Sequence, residues 1–293
     1  MKKSVNFILA AILLAGCVSR KLADAYGNFE SVETIVSSEA NGKFTALSII
    51  EGQRLKKGQY VAAIDSTVPA LQKQELLARR KAVLSRITEA EAQISVVRQK
   101  LDNLLVDLRR VQNMLKDDAA TKKQLDDLTG SEKVLRMQLK AVQAQRKAVV
   151  SELDALEANL ALINEQLSRC RILNPVNGVV LEKYSEVHEV TAPGKPIYKI
   201  ANLDTMVLRI YVSGGQLASL KIGQTCTVRI DSGKKELEYP GTIMWISDTA
   251  EFTPKIIQTR KERVNLVYAV KVRVGNEDGA IKIGMPGEVV FSS

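Results

Sequence analysis

Few residues of this chain have the types and spacing that catalysis or metal binding requires. The one histidine, His188, stands between Glu186 and Glu189, and an imidazole with two carboxylates could in principle hold a metal ion. A lone histidine in such a loop is more often solvated, because a metal site needs further ligands. No serine or cysteine has a suitable base partner, and no glycine-rich phosphate loop follows a strand. We therefore expect no enzyme activity, no catalytic or metal-binding residue and no cofactor.

Cys17 is the residue whose surroundings predict a covalent modification. Lys2 and Lys3 form a short positive segment, residues 5–14 are apolar, and the run ends in Leu-Ala-Gly-Cys. The run is too short to span a bilayer comfortably. It resembles a bacterial lipoprotein signal, which implies removal of residues 1–16 and a lipid on Cys17. The alternative is an ordinary secretory signal that happens to end near a cysteine. Both predict export, and because no later stretch is apolar enough to cross a membrane, we expect lipid to be the anchor.

The other two cysteines, Cys170 and Cys226, could pair in an oxidising compartment. They fall in segments that we assign to different domains. Two buried, unpaired thiols are therefore the favoured interpretation, and a disulfide is the alternative.

The charge pattern argues against nucleic acid as a partner. The formal net charge is +9, which falls to +7 without Lys2 and Lys3. Basic and acidic residues are interleaved and aromatic residues make up only 4% of the chain, whereas nucleic acid is bound by basic surfaces with stacking aromatics. The excess positive charge suits contact with anionic lipid head groups instead.

The middle of the chain has the heptad repeat of a coiled coil. Between positions 69 and 116 the two rows are Ile87, Ile94, Leu101, Leu108, Leu115 and Ala90, Val97, Leu104, Val111. Between positions 122 and 170 the two rows are Leu125, Glu132, Leu139, Arg146, Leu153, Leu160, Leu167 and Leu128, Leu135, Val142, Val149, Leu156, Ile163, Cys170. The polar members Glu132 and Arg146 either set the register or contact a neighbouring helix.

Two long helices joined by a short break must run antiparallel. The break is residues 117–120, and Thr121 is the expected N-cap of the second helix, with Gln124 placed to complete a capping box. Ser66 is the expected cap of the first helix, and Pro175 follows the second. At 1.5 Å per residue each arm is roughly 70 Å long, so the pair predicts a rod rather than the interior of a globular domain.

The segments on either side of the rod have the pattern of short strands separated by glycine turns. Residues 42–65 and 171–203 each contain a glycine, a short apolar strand, a hydrophilic step, a glycine turn and a closing strand. We therefore expect one small β-sandwich that is split by the hairpin. Residues 204–293 are strand-like, apart from one or two helical turns at 214–220, and predict a small antiparallel barrel.

This order of segments resembles the HlyD-like periplasmic adaptors, also called membrane fusion proteins. The stretch GKFTALSIIEGQRLKKGQYVAAID at 42–65 resembles the first half of their lipoyl-like domain, and CRILNPVNGVVLEKYSEVHEVTAPGKPIYKIANL at 170–203 resembles the second. The stretch at 250–289 is similar to the closing barrel region of the subgroup that accompanies ABC-type exporters. The turn around His188 departs from the family pattern, so we expect that loop to differ in shape.

The resemblance implies an elongated α+β fold, in which a long antiparallel α-helical coiled-coil hairpin is inserted into a split lipoyl-like β-sandwich, followed by a small antiparallel β-barrel. The predicted parts are a signal peptide at 1–16, a linker with the first barrel strand at 17–38, the first lipoyl-like half at 39–65, the hairpin at 66–169 with its tip at about 116–121, the second half at 170–203 and the barrel at 204–293.

The resemblance also implies a role in transmembrane transport. Members of the family bridge an inner-membrane exporter to a TolC-like outer-membrane channel in tripartite efflux or secretion systems. They pack into rings, and the resemblance implies that this ring is a hexamer. Because the chain ends soon after the barrel, we expect an ABC-type exporter, a permease with an ATPase, rather than an RND-type pump. We expect a periplasmic location, with the lipid in the inner membrane.

In family members that dock on such a channel, an arginine, a leucine four positions later and a serine eleven positions later line the hairpin tip. The same spacing here gives Arg110, Met114 and Thr121, and Leu115 lies beside them. An exposed apolar residue among charges suits end-on helix packing, so we expect these four residues to dock. The alternative is that Met114 only closes the seam and Thr121 only caps its helix.

Two other classes of function stay open. A lipid-anchored coiled-coil tether would have no transport role, although a tether needs no lipoyl-like base. A carrier of covalent lipoate or biotin would need an exposed lysine such as Lys183, but the hairpin takes the place of the modified turn.

Overall fold

The computed structural model describes residues 22–231, 233, 236–252 and 266–291. In chain order its elements are β1 (Ala25–Glu30), β2 (Glu33–Ser37), β3 (Gly42–Leu47), β4 (Arg54–Leu55), β5 (Tyr60–Ile64), α1 (Thr67–Lys116), α2 (Lys122–Arg169), β6 (Arg171–Leu173), β7 (Gly178–Lys183), β8 (Val190–Thr191), β9 (Pro196–Ala201), β10 (Thr205–Ser213), α3 (Gly214–Leu217), β11 (Thr225–Asp231), β12 (Glu236–Ile246), β13 (Glu251–Phe252), β14 (Leu266–Gly275) and β15 (Pro286–Phe291). They form a helical hairpin, a small sandwich and a barrel, which confirms the predicted fold class.

The hairpin is held together by the heptad seam. Every position in the two predicted rows of each helix is buried or half-buried, whereas most positions between the rows are exposed. Helix α1 has 50 residues and α2 has 48, so the arms are about 75 Å and 72 Å long. The seam is long and only two helices wide, and the pair therefore forms a rod.

The two polar residues in the seam have different partners. Arg146 of α2 donates to Glu91 of α1, with Nη2 2.7 Å from Oε1. Glu132 accepts a hydrogen bond from Arg136 one turn along its own helix, at 2.6 Å. Arg146 therefore contributes to the register between the helices, which was one of its two predicted roles, while Glu132 makes no such bond between helices among the described residues.

Pairing of β5 with β6 closes the base of the hairpin. These strands immediately precede α1 and follow α2, and the Ile64 amide donates to the Cys170 carbonyl at 2.8 Å. Ser66 stands at the N-cap position of α1, as predicted, but its side chain makes no capping bond. Instead the Asp65 carboxylate accepts from the amide and hydroxyl of Thr67, at 2.9 and 2.6 Å, and these bonds lower the pKa of Asp65.

The sandwich has two four-stranded sheets with matching strand orders. One is β2-β9-β7-β4 and the other is β6-β5-β3-β8, so each strand of the first half has a counterpart in the second. The turn glycines Gly42, Gly52 and Gly58 recur at the same spacing as Gly178, His188 and Gly194. The sandwich includes β2, so it begins before residue 39, where its first half was predicted to start.

His188 takes the place of a glycine in this repeat. Its φ of 74° is in the left-handed region, close to the φ of 81° at the equivalent Gly52. Its amide donates to the carbonyl of Phe44 at 3.0 Å, which ties the turn to β3. The backbone of this turn therefore follows that of the first half, despite the difference in side chain.

A buried asparagine joins the halves of the sandwich. Asn174 is 1% exposed, and its amide nitrogen donates to the carbonyls of Lys56 and Val176 at 2.9 and 2.6 Å. Its side-chain oxygen accepts from the hydroxyl of the buried Tyr198 at 2.9 Å. Both amide hydrogens and the side-chain oxygen of Asn174 are therefore hydrogen-bonded, as buried polar groups generally are.

The barrel consists of six strands that close on themselves. The order is β10-β1-β15-β11-β12-β14, and β14 pairs with β10 to close the barrel. The short strand β13 pairs antiparallel with the start of β14. Apolar side chains such as Phe29, Leu208 and Ile243 fill the interior. Gly27 is needed where β1 approaches β10, because a Cβ there would lie 1.8 Å from the carbonyl oxygen of Arg209.

The chain passes between the barrel and the sandwich twice, after β1 and after β9. Arg54 of β4 donates from Nη1 to both carboxylate oxygens of Asp204, at 2.8 and 2.9 Å. The Ser31 hydroxyl donates to the carbonyl of Asn202 at 3.0 Å.

We predict that Asn174→Ala lowers the free energy of unfolding by about 2–4 kcal/mol, because it leaves the carbonyl of the half-buried Val176 and the hydroxyl of the buried Tyr198 without these partners. The matched control is Ser38→Ala at the equivalent position of the first half, where the hydroxyl donates only to Ala40, at 2.7 Å. Scanning calorimetry of the full chain measures both. Equal costs for the two variants would contradict a specific role for Asn174.

Candidate functional site

The tip of the hairpin begins with a left-handed turn at the end of α1. The amide of Ala119 donates to the carbonyl of Met114 at 2.8 Å, and that of Asp118 to Leu115 at 3.3 Å. This is the Schellman arrangement, which normally has glycine at the left-handed position. Here Asp118 occupies it with a φ of 54°. Aspartate tolerates this region better than most residues. The break at 117–120 was predicted, but its left-handed backbone was not, because no glycine marks it.

The second helix begins with the predicted capping box. The Thr121 hydroxyl accepts from the amide of Gln124 at 3.3 Å, and the side-chain oxygen of Gln124 accepts from the amide of Thr121 at 2.9 Å. The Thr121 side chain is exposed, so its hydroxyl keeps a proton to donate outward. Capping and docking are therefore compatible roles for this residue.

The apolar seam ends at the tip in one exposed and one sheltered residue. Met114 is 40% exposed, while Leu115 is half-buried in the last turn of the seam. Arg110 is exposed, and its Nη1 lies 3.1 Å from Asp107 Oδ1 one turn earlier. The structure therefore brings Arg110, Met114, Leu115 and Thr121 to one end of the rod.

The charges at the tip oppose helix stability in part. Lys116 lies in the last turn of α1, where its positive charge interacts favourably with the negative end of the helix dipole. Lys122 and Lys123 instead lie in the first turn of α2, which has no acidic residue. Two lysines at the positive end of a helix are destabilising by a few tenths of a kcal/mol each. This lysine pair was not among the predicted site residues, although its position directly after the predicted cap Thr121 could have indicated it.

The remaining candidate groups are the histidine and the cysteines. Within the described ranges, no three histidine, cysteine or acidic side chains are grouped as a metal site would require. Cys170 lies in the sandwich core and Cys226 in the barrel core, and both are free thiols. Burial raises the pKa of Cys170, and raises that of Cys226 to about 11. Cys17 lies outside the described residues.

Among the described residues, no helix is both long and apolar enough to cross a bilayer.

Known proteins are similar to this chain over nearly its whole length. No family model matches the chain. A relative from Acidithiobacillus ferridurans, the UPF0194 membrane protein in the asrC 5' region, is 27% identical over 321 residues, which cover 97% of this chain and 94% of the relative. The crystal structure of MacA from Actinobacillus actinomycetemcomitans has a TM-score of 0.56 at 24% identity, covering 92% of this chain and 78% of MacA. The membrane fusion protein Spr0693 from Streptococcus pneumoniae R6 has a TM-score of 0.57 at 17% identity, covering 92% of this chain and 97% of Spr0693.

At these identities the solved structures establish the fold. The chain has the fold of a membrane fusion protein over nearly its whole described length. The resemblance to the HlyD-like periplasmic adaptors that the sequence indicated is confirmed at this level.

We predict that Asp118→Val opens the tip, because a β-branched residue in the left-handed region costs roughly 1–2 kcal/mol. Amide hydrogen exchange of residue 119 should become about tenfold faster, since its bond to Met114 depends on this turn. Asp118→Gly is the control and should keep the protection of the native chain. Equal protection in the valine and glycine variants would show that the backbone conformation of Asp118 is unimportant.

Proposed function

We propose, from the premise that the chain has the fold of a membrane fusion protein, that it is the periplasmic adaptor of a tripartite export system. In this proposal it bridges an inner-membrane exporter to a TolC-like outer-membrane channel. The observation that supports it best is the rod of about 75 Å, which ends in an exposed Met114 beside Arg110 and Thr121.

The tip residues supply the contact with the channel in this proposal. Met114 offers an apolar side chain for end-on packing, and Arg110 and Thr121 offer donors on either side. A single two-helix end presents little surface, so one copy would bind weakly. Several copies in a ring, six by resemblance to the family, would bind the channel together and raise the avidity.

The membrane end depends on Cys17. β1 starts at Ala25, so a lipid on Cys17 would leave at most about 28 Å of extended chain between membrane and barrel. We propose that this lipid lies in the inner membrane and holds the barrel next to the exporter. An ABC-type exporter, a permease with an ATPase, is the favoured partner because residues 250–289 resemble the subgroup that works with such exporters.

The tip proposal is tested with Met114→Glu in the full-length chain. A charge at the centre of an apolar contact should reduce recovery of the TolC-like channel in pull-downs from native membranes by about tenfold or more. Helix content and thermal unfolding should stay unchanged, since Met114 is 40% exposed.

Met244→Glu is the matched control, because Met244 is 39% exposed and lies in the barrel, in β12. It should recover the channel as the native chain does. If Met114→Glu also recovers the channel normally, the tip does not dock; if the native chain recovers no channel at all, the bridging function itself is wrong.

A further inference from the structure

One end of the barrel carries exposed apolar side chains from four segments of the chain. Neighbouring barrel strands are antiparallel, so β1, β11 and β14 begin at the end where β10, β12 and β15 finish. The sandwich is joined to the opposite end, where β1 finishes and β10 begins. The end away from the sandwich, which we call the rim, carries Leu22, Tyr26, Ile222 and Leu266, each more than half exposed.

A tight turn between α3 and β11 presents Ile222 at the rim. The Gln224 amide donates to the Lys221 carbonyl at 3.1 Å, and Gly223 has a φ of 90°, as in a type II turn. The Gly223 amide also donates to the carbonyl of Ile243 in β12 at 2.8 Å, which fixes the turn to the barrel. Turn positions usually hold polar residues, glycine or proline, so an isoleucine that is 67% exposed here needs a reason other than turn formation.

The chain enters the barrel at the same end. The Asp24 amide donates to the carbonyl of Val289 at 2.9 Å, and the Asp24 carboxylate accepts from the amide of Phe291 at 2.8 Å. The side chain of Gln216 in α3 donates to the Asp24 carbonyl at 2.7 Å. Leu22 is two residues away from this anchored aspartate, so it lies beside the rim while its own side chain stays exposed.

Only a short stretch of chain separates Cys17 from Leu22. Five residue steps span at most about 18 Å when fully extended. The proposed lipid holds Cys17 at the membrane surface, where the head-group layer is about 5–8 Å thick. The tether therefore allows the rim to reach the head groups, and it keeps the effective concentration of lipid at the rim high. The opposite end of the barrel is further away by the length of its strands.

The exposed residues are spread around the barrel and are not confined to one side of it. Tyr26 lies on β1, Ile222 lies just before β11 and Leu266 lies on β14, and these are every second strand of the six. A flat surface that meets the barrel end-on would contact all three positions. A protein partner bound at one side of the barrel would contact only some of them.

The residue types at the rim suit the interface of a bilayer. Leucine and isoleucine side chains insert at the boundary between head groups and acyl chains, and tyrosine is stable at the level of the head groups. The exposed Lys221 beside Ile222 adds a positive charge for lipid phosphates. A bilayer accepts separate protruding side chains, whereas a protein surface needs a complementary shape for each of them.

We infer that the rim lies in the head-group layer of a lipid bilayer, with Leu22, Ile222 and Leu266 inserted among the lipids. This inference rests on the proposed lipid at Cys17 and deepens the proposed function, because it gives the barrel a second, non-covalent membrane contact. Contacts around a circumference define a plane, so they fix the tilt of the barrel against the membrane. A lipid chain on a flexible tether leaves that tilt free.

The test uses the full-length lipidated chain in vesicles of phosphatidylethanolamine and phosphatidylglycerol, without exporter or channel. Ile222→Cys carries a thiol-linked NBD fluorophore, and doxyl-labelled lipids quench it on contact. Ile283→Cys is the matched control, because Ile283 is 40% exposed but lies between β14 and β15, at the end that joins the sandwich. Quenching at position 222 should exceed that at position 283 by about threefold or more.

Two further measurements accompany this comparison. The parent chain should take up no label, because Cys170 and Cys226 are buried with raised pKa values. Adding Leu22→Asp and Leu266→Asp to the labelled Ile222→Cys chain should lower its quenching to the level of the control, since carboxylates resist entry into the interface. Thermal unfolding should stay unchanged, because both leucines are exposed.

Equal quenching at positions 222 and 283, in a chain whose intact mass shows the lipid, would overturn this inference and leave the result of the Met114→Glu pull-down standing. A label at 222 that stays in water in vesicles but shifts to the blue in native membranes would show that a protein covers the rim, and would overturn it equally. An intact mass without lipid would overturn both this inference and the proposed anchor.

Discussion

The pairing of β5 with β6 is the contact on which the rest of the structure depends. It brings Ile64 and Cys170 together with an amide-to-carbonyl distance of 2.8 Å, across an insertion that consists of two long helices. With both ends held, the heptad seam has only to keep two helices side by side. The sandwich below pairs its strands within its own two sheets, and Asn174 bonds its two halves together, so the hairpin extends outward from a base that has its own contacts. The length of the rod is thus set by the number of heptads and not by the packing of the domain below it.

Much of this architecture can be predicted from sequence because its signals are repetitive. The heptad rows predict the buried face of both helices, and Thr121 with Gln124 predicts the start of α2. Serine before a helix is a common capping residue, but here the side chain of the neighbouring Asp65, and not that of Ser66, accepts the hydrogen bond from the first turn of α1. Both turns were predicted, but the left-handed backbone of Asp118 and His188 was not, because glycine, its usual marker, is absent. The strand β2 escaped because its pairing with β9 joins residues far apart in the chain.

The candidate site could be located from sequence but not described. The family motif implied by the resemblance placed Arg110, Met114 and Thr121 near the end of the rod, and the structure adds that Met114 is exposed while Leu115 is partly covered. The unfavourable position of the lysines at the start of α2 could be recognised only once the first residue of that helix was known. The hairpin thus has an inner seam that holds its two helices together, and an exposed end at which we propose that the channel binds.

The central claim is that the tip is held far from the base by a rigid rod, and a distance measurement tests it most directly. Spin labels would be placed at Ala119→Cys in the tip and at Val187→Cys in the sandwich, both on exposed residues. The account predicts a narrow distribution centred near 70 Å, from the rise of the helices. A broad distribution, or a mean below about 40 Å, would show a folded-over or flexible hairpin and would contradict the account.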